Sequence, residues 1–187
     1  MVDTAAIESL TRQLLVAIGE DPHREGIADT PARVARWWSE FLDNRRVQDG
    51  KLNTTFGGLG VDQLVVVRNI EAWSLCEHHL LPFKINVTVG YLTTTKVLGL
   101  SKFARIVQKV SAGLQIQERL VHQVADEITK LTESPHVAVL ASGQHLCMRM
   151  RGARSNADML TSVLRGRFLD DPSARIEFMR MAEPAKQ

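Results

Sequence analysis

Phe83-Lys84-Ile85-Asn86-Val87-Thr88-Val89-Gly90-Tyr91 alternates apolar residues with polar or small ones. A period of two marks a half-buried antiparallel strand, with one face on a core and the other open. Upstream, Leu64 to Ile70 is a second strand-like run, rich in the β-branched residues that suit a pleated surface. Cys76-Glu77-His78-His79 therefore falls in the connection between two strands. Downstream the period changes. Lys102 to Val110 reads as a helix with Ser101 as its N-cap. Gln117 to about Leu131 reads as another, burying Leu120, Val124, Ile128 and Leu131. Strands follow at His136 to Ala141, His145 to Arg151 and Leu160 to Phe168. Asp171-Pro172 then opens a last helix to about Met181.

The N-terminal third is helical. Ile7, Leu10, Leu14, Leu15 and Ile18 share a helical spacing from Thr4 to Ile18, with Asp3 or Thr4 as cap. Asp21-Pro22 and Gly26 mark a loop. Thr30-Pro31 pairs a capping residue with a proline at the first helical position. That helix runs to about Leu42 and buries Val34, Trp38, Phe41 and Leu42, and Asn44 to Gly60 reads as a loop. The order of elements predicts an α+β fold, with helices on one face of an antiparallel sheet. It divides the chain into an N-terminal helical region and loop, 1–60, and a catalytic domain, 61–187.

The chain has 187 residues, 44% of them hydrophobic, which suits a packed globular domain. A formal net charge of +2 gives no global reason to expect nucleic acid or a membrane surface as partner. No apolar run reaches the length of a membrane span. The first residues lack the basic-then-apolar pattern of a signal peptide. The expectation is a cytoplasmic enzyme, in a compartment that keeps thiols reduced.

Cys76 and Cys147 are the only cysteines, and each sits beside histidine. Zinc takes sulfur and nitrogen ligands, and a site with three protein ligands and an open fourth position is catalytic. Cys-x-x-His on a tight connection assigns Cys76 and His79 to the metal, with Cys147 as third ligand. His78 is then left for proton transfer. If His145 to Arg151 is a strand, then His145, Cys147, Arg149 and Arg151 share one face. A solvated polar face with a stray cysteine is the competing reading, and it weakens once the two runs are taken together. His23, His122 and His136 have no such company and read as surface or satisfied histidines. Lys102 and Arg105, behind Ser101 at a helix start, could receive an anion, and Arg151 adds a fork for phosphate oxygens. For such a pair a solvated helix face is the alternative. Glu118, beside Gln117, either complements a helix dipole or accepts hydrogen bonds from N1–H and the 2-amino group of guanine. On local grounds the dipole role is the simpler.

Taken together these blocks resemble the GTP cyclohydrolase I family. The resemblance rests on Gly19-Glu20-Asp21-Pro22, Arg24-Glu25-Gly26, Thr30-Pro31 and Arg33-Val34 near the N-terminus, and on Cys76 through Phe83. It continues through Gly99-Leu100-Ser101-Lys102, Ala104-Arg105-Ile106, Gln115 and Gln117-Glu118-Arg119-Leu120. His145, Cys147, Met148, Met150, Arg151-Gly152, Thr161-Ser162, Gly166 and Asp170-Asp171-Pro172 complete it. It implies the tunnelling fold, in which sheets from several subunits close into a barrel, and a homodecamer of two pentamers with sites at subunit boundaries. It implies Zn2+ on Cys76, His79 and Cys147, and proton shuttling by His78 and His145. Gln117 and Glu118 would hold guanine. Ser101, Lys102, Arg105, Arg151 and Arg33 would line the ribose and triphosphate of GTP. The implied reaction opens the guanine imidazole ring at C8, releases formate and forms 7,8-dihydroneopterin triphosphate. The chain departs from the family pattern at Ile85-Asn86, at Thr93 and in the segment 153–160. Two other readings stand beside this one. The first is a divergent homologue that stops at a ring-opened intermediate or takes another guanine nucleotide. The second is a non-catalytic nucleotide-binding zinc protein, in which the fourth metal position would be closed.

Overall fold

The structure, a computed structural model, describes residues 2–49, 52, 55–57 and 62–183. In chain order the elements are α1 Thr4–Ala17, α2 Thr30–Asp49, β1 Thr55–Gly57, β2 Leu64–Cys76, β3 Pro82–Leu92, β4 Lys96–Leu98 and α3 Leu100–Ser111. Then come β5 Leu114–Gln115, α4 Gln117–Thr132, β6 Val137–His145, α5 Leu146–Arg149, β7 Met159–Leu164, α6 Arg167–Asp170 and α7 Pro172–Ala182.

The alternation in β3 does what its period requires. Phe83, Ile85, Val87, Val89 and Tyr91 are fully buried against Phe103, Ile106 and Val107 of α3 and Leu120, Val124 and Ile128 of α4. β2 is longer than the run Leu64 to Ile70. Its pairing with β3 shifts between Val67 and Ile70, at a bulge where Asn69 takes φ 61°. A bulge inserts an extra residue and changes which side chains face the core. Val65 and Val67 face the helices before it, and Ile70, Ala72 and Cys76 face them after it. The bulge thus turns Cys76 inward.

The main sheet has the order β5-β2-β3-β6-β7. Its longer pairs are antiparallel, but β5 runs parallel to β2, so the sheet is mixed rather than purely antiparallel. The helices also occupy both faces, not one. Leu92, Ala138, Phe168, Ala174 and Phe178 form a second cluster on the face opposite α3 and α4. Gly90 permits it: a Cβ there would lie 2.6 Å from the Phe178 ring. Phe178 meets Phe168 edge-on at 5.6 Å, and burying such a ring is worth about 1.5–3 kcal/mol. Asp171 caps α7 by accepting from the Ser173 N–H, with Pro172 at the start of the helix.

Four further boundaries differ from the sequence reading. α2 continues past Leu42 to Asp49, since no glycine or proline interrupts residues 43–49. The rest of the expected loop Asn44 to Gly60 holds β1, while 50–51, 53–54 and 58–60 lie outside the described residues. Gly99, not Ser101, occupies the N-cap of α3, and Ser101 sits inside the first turn. The last strand stops at Leu164, because Gly166 turns the chain with φ 54° into the single turn of α6. The fourth difference concerns His145 to Arg151, which is not a strand. β6 ends at His145 and the chain winds into the one-turn α5. The apparent alternation there misleads because Met150 is 61% exposed and forms no buried face with Leu146 and Met148.

Candidate metal and nucleotide site

The connection after β2 is a closed turn. The Cys76 carbonyl accepts from the N–H groups of His79 and Leu80, and the Cys76 N–H donates to the Leu81 carbonyl. Leu80 completes the reversal at φ 55°, a conformation costly for a side chain bearing a Cβ. The turn brings Cys76 Sγ to 3.6 Å from His79 Nδ1 and 3.9 Å from His78 Nδ1. The two imidazole planes stand at 76° to each other, so the neighbouring rings address different space.

The third member arrives from α5. β6 pairs with β3 so that His145 lies opposite Phe83, beside the metal turn. The single turn that follows sends Cys147 toward Cys76. Ligand atoms of Cys76, His79 and Cys147 all lie within 4.8 Å of one another. Cys147 thus joins Cys76 and His79 through the helical turn, not through the shared strand face expected for His145, Cys147, Arg149 and Arg151.

The donor set fits a zinc ion. Zn–S of about 2.3 Å and Zn–N of about 2.0–2.1 Å in a tetrahedron place sulfur and nitrogen roughly 3.6 Å apart. The Cys76–His79 separation matches that edge. Burial pushes the Cys147 thiol above its ordinary value, and the adjacent Cys76 sulfur pushes it further in the same direction. A divalent cation held between the two sulfurs would offset that penalty on the Cys147 thiol.

β5 delivers the second half of the site. Gln115 pairs with Cys76, and the Glu77 N–H donates to the Gln115 carbonyl, 3.1 Å away. α4 therefore begins beside the metal turn. Its first residue, Gln117, is buried, while Glu118 is exposed. The Gln117 amide oxygen lies 2.9 Å from His145 Nε2, and Phe83 stacks on the His145 ring at 4.5 Å. Burial lowers the His145 pKa from its ordinary value, and the Glu118 charge opposes that shift. One ion pair, unforeseen from the sequence, ties the two halves together. Arg119 donates to the Glu77 carboxylate, to Gln115 Oε1 at 3.0 Å and to the Leu114 carbonyl at 3.3 Å. The guanidinium holds the Glu77 carboxyl below its usual range. The signal was available: opposite charges stand inside the two motifs, Cys76–His79 and Gln117–Leu120, that the site needs together.

The basic residues lie on several elements, and it is the end of α3, leading into β5, that meets the metal turn rather than its start. Ser101, Lys102 and Arg105 occupy the first two turns of α3, and Arg151 follows α5, exposed but close enough for its charge to act on Cys147. Arg33 is exposed on α2 and pairs with Asp29 at 3.3 Å. Arg149 has a different task from its strand neighbours in the sequence reading. It binds Asp158 at 2.7 Å and the Asn156 carbonyl at 3.2 Å, closing the loop after α5. His136 is satisfied as expected, its Nδ1 accepting from the Arg167 N–H.

Over most of its length the chain is similar to known proteins. The family model of GTP cyclohydrolase I matches residues 7–183. GTP cyclohydrolase 1 of Hyperthermus butylicus is 49% identical over 183 residues, covering 98% of this chain and 93% of that protein. GTP cyclohydrolase 1 of Deinococcus radiodurans is 47% identical over 179 residues, covering 92% and 81%. Among solved structures, an archaeosine synthase QueF-Like in the apo form is similar with a TM-score of 0.41 at 15% identity, covering 55% of this chain and 94% of that one. By the extent of the family match and the full-length relatives, the chain belongs to the GTP cyclohydrolase I family.

Proposed function

We propose that this chain opens the imidazole ring of GTP at C8, releases formate and forms 7,8-dihydroneopterin triphosphate, the activity of its family. The observation that carries this reading is the convergence of Cys76, His79 and Cys147 with His78, His145 and Glu118 across one turn and one helix start. Cys76, His79 and Cys147 hold zinc, which lowers the pKa of water from about 15.7 to about 7 and so provides a nucleophile at neutral pH.

The side chains around it select the substrate and move protons. The Glu118 carboxylate, with Gln117 behind it, accepts from N1–H and the 2-amino group of guanine. Adenine lacks that donor–donor edge. His145 gives a proton to N7 as C8 takes oxygen from water, and the C8–N9 bond then breaks. A second water attacks the formyl carbon, the remaining C–N bond breaks and formate leaves. His78 exchanges a proton at the ribose ring oxygen as the sugar opens. The freed amine then condenses with the opened sugar and loses water. Ser101, Lys102, Arg105 and Arg151, with Arg33, line the ribose and triphosphate, where guanidinium forks suit phosphate oxygens.

Residues 61–187 form the catalytic domain and residues 1–60 its helical annex. The assembly is a homodecamer of two pentamers, with the sheets joined into the barrel of a tunnelling fold. Exposed apolar surface supports an assembly: α1 buries no residue, and Leu10, Leu14, Val16 and Ile18 are 59–64% exposed. Leu160 on β7 is 78% exposed. Among the described residues no helix is long and apolar enough to cross a membrane, and the proposed compartment is the cytoplasm.

Incubation of the purified protein with GTP tests the activity. Formate and the pterin fluorophore are expected in equal amounts, lost with a chelator and restored by zinc. Formate without pterin would instead mark a ring-opened endpoint. Glu118→Gln replaces an acceptor-only group by one that also presents donors to guanine donors. It is expected to lower kcat/KM for GTP by roughly 10- to 100-fold, the worth of a charge-assisted hydrogen bond. It also narrows the preference for GTP over inosine triphosphate, which lacks the 2-amino group. An unchanged preference would remove Glu118 from guanine recognition.

A further inference from the structure

The side chain of Gln117 is only 1% exposed, and its amide is fully engaged inside the protein. Its nitrogen lies 2.9 Å from the Met159 carbonyl, 3.0 Å from Thr161 Oγ1 and 3.4 Å from the Ala141 carbonyl. Carbonyl oxygens only accept, so the NH2 group must face them. The amide oxygen is thereby turned toward His145, 2.9 Å from Nε2. An amide oxygen only accepts as well, so Nε2 must carry a proton to complete this bond. In the neutral ring the lone pair then resides on Nδ1.

Two more contacts hold the pair. The Phe83 ring, itself fully buried, lies over the imidazole with a 14° angle between the planes. Gly143, opposite Ile85 in the sheet, leaves the space through which the amide reaches the histidine. A Cβ at Gly143 would stand 1.9 Å from Gln117 Oε1 and 3.1 Å from His145 Nε2. The amide could escape such a clash only by giving up its bonds to β6 and β7.

We infer that Gln117 is a positioning residue that locks His145 in the Nε2–H tautomer, so that Nδ1 is the nitrogen that takes and gives the proton used in ring opening. The inference rests on the reading of His145 as the proton carrier at N7. It assigns Gln117 a task distinct from the guanine contact implied by the family resemblance, and leaves Glu118 to face the base. Gln117 belongs with the groups that fix which ring nitrogen is active through the hydrogen bond made by the other.

The test has a spectroscopic arm and a kinetic arm. In zinc-loaded protein labelled with 15N-histidine, the His145 signals are identified by their loss in His145→Asn. The neutral ring is expected to show a proton-bearing Nε2 and a bare Nδ1. An Nδ1–H tautomer, or a fast-exchanging mixture of the two, would overturn the lock. This arm needs no turnover, so failure of the wild type to release formate from GTP would refute the proposed function while leaving the tautomer decided. Gln117→Met keeps the bulk of the side chain and removes the acceptor. Its kcat is expected to fall on the order of 10²-fold, the scale of a misdirected general acid, with KM for GTP within about twofold of wild type. A raised KM with unchanged kcat would instead assign Gln117 to guanine binding. Gly143→Ala, which leaves Gln117 in place but displaces its amide, is expected to show the same loss of kcat and of the single tautomer. Normal kcat together with the wild-type tautomer in Gly143→Ala would overturn the inference even where Gln117→Met does not fold.

Discussion

Cys147→Ala is expected to abolish formate release from GTP, by about 10³-fold or more, and to lose bound zinc while remaining folded. The separation of the two effects follows from where Cys147 sits. It lies on the one-turn helix α5, half-buried, whereas the core runs from β2, β3 and β6 to α3 and α4. Phe83, Ile85, Ile106, Leu120 and Ile128 are fully buried without help from the metal centre. Trimming one half-buried sulfur is expected to cost on the order of 1 kcal/mol, which shifts Tm by about 2–4 °C in a chain of this size. Zinc has a stronger dependence, because one of its three protein ligands is gone. Metal analysis, formate release and thermal unfolding of the same preparation check the prediction. Global unfolding on loss of zinc would identify a structural metal centre instead.

His145→Ala is expected to slow ring opening by about 10²- to 10⁴-fold, the usual contribution of a positioned general acid. GTP affinity should change little, since Glu118 and the basic residues around α3 and Arg151 remain. The packing argument supports a local effect. His145 is the last residue of β6, stacked on Phe83 and bonded to Gln117, and its removal leaves the strand pairing with β3 in place. Single-turnover measurement of formate separates the chemical step from later steps. Ring opening at the wild-type rate would take the N7 proton away from His145 and assign it to another group.

The sequence carried much of this arrangement, for reasons that can be traced. The alternation from Phe83 to Tyr91 was legible because one face of β3 is wholly buried and the other is not. The approach of Cys76 to His79 was legible because a closed turn brings residues three apart together. Cys147 was grouped with Cys76 and His79, as the structure groups it, for a partly wrong reason. Period two over residues 145–151 suggested a strand, and only tertiary context shows that the chain leaves the sheet after His145. The bulge at Asn69 was not legible, since no glycine marks it and asparagine tolerates the left-handed region well enough to pass as a strand residue. The parallel strand β5 was missed because two residues have no periodicity. The role of Gln117 was equally hidden. Its position at a helix start says nothing of the cavity beside Gly143 that receives its amide. α7 crossed to the unexpected face because Gly90, read as one more alternating position, is the gap into which Phe178 fits.

Zinc-edge X-ray absorption on the purified, zinc-loaded protein tests the ligand set most directly. Two sulfur neighbours at about 2.3 Å and two nitrogen or oxygen neighbours at about 2.0–2.1 Å are expected. They correspond to Cys76, Cys147, His79 and one exchangeable position, and the sulfur count of any zinc retained by Cys147→Ala should fall to one. A shell without sulfur, or one closed by four protein atoms, would contradict a catalytic ion gripped by these three side chains.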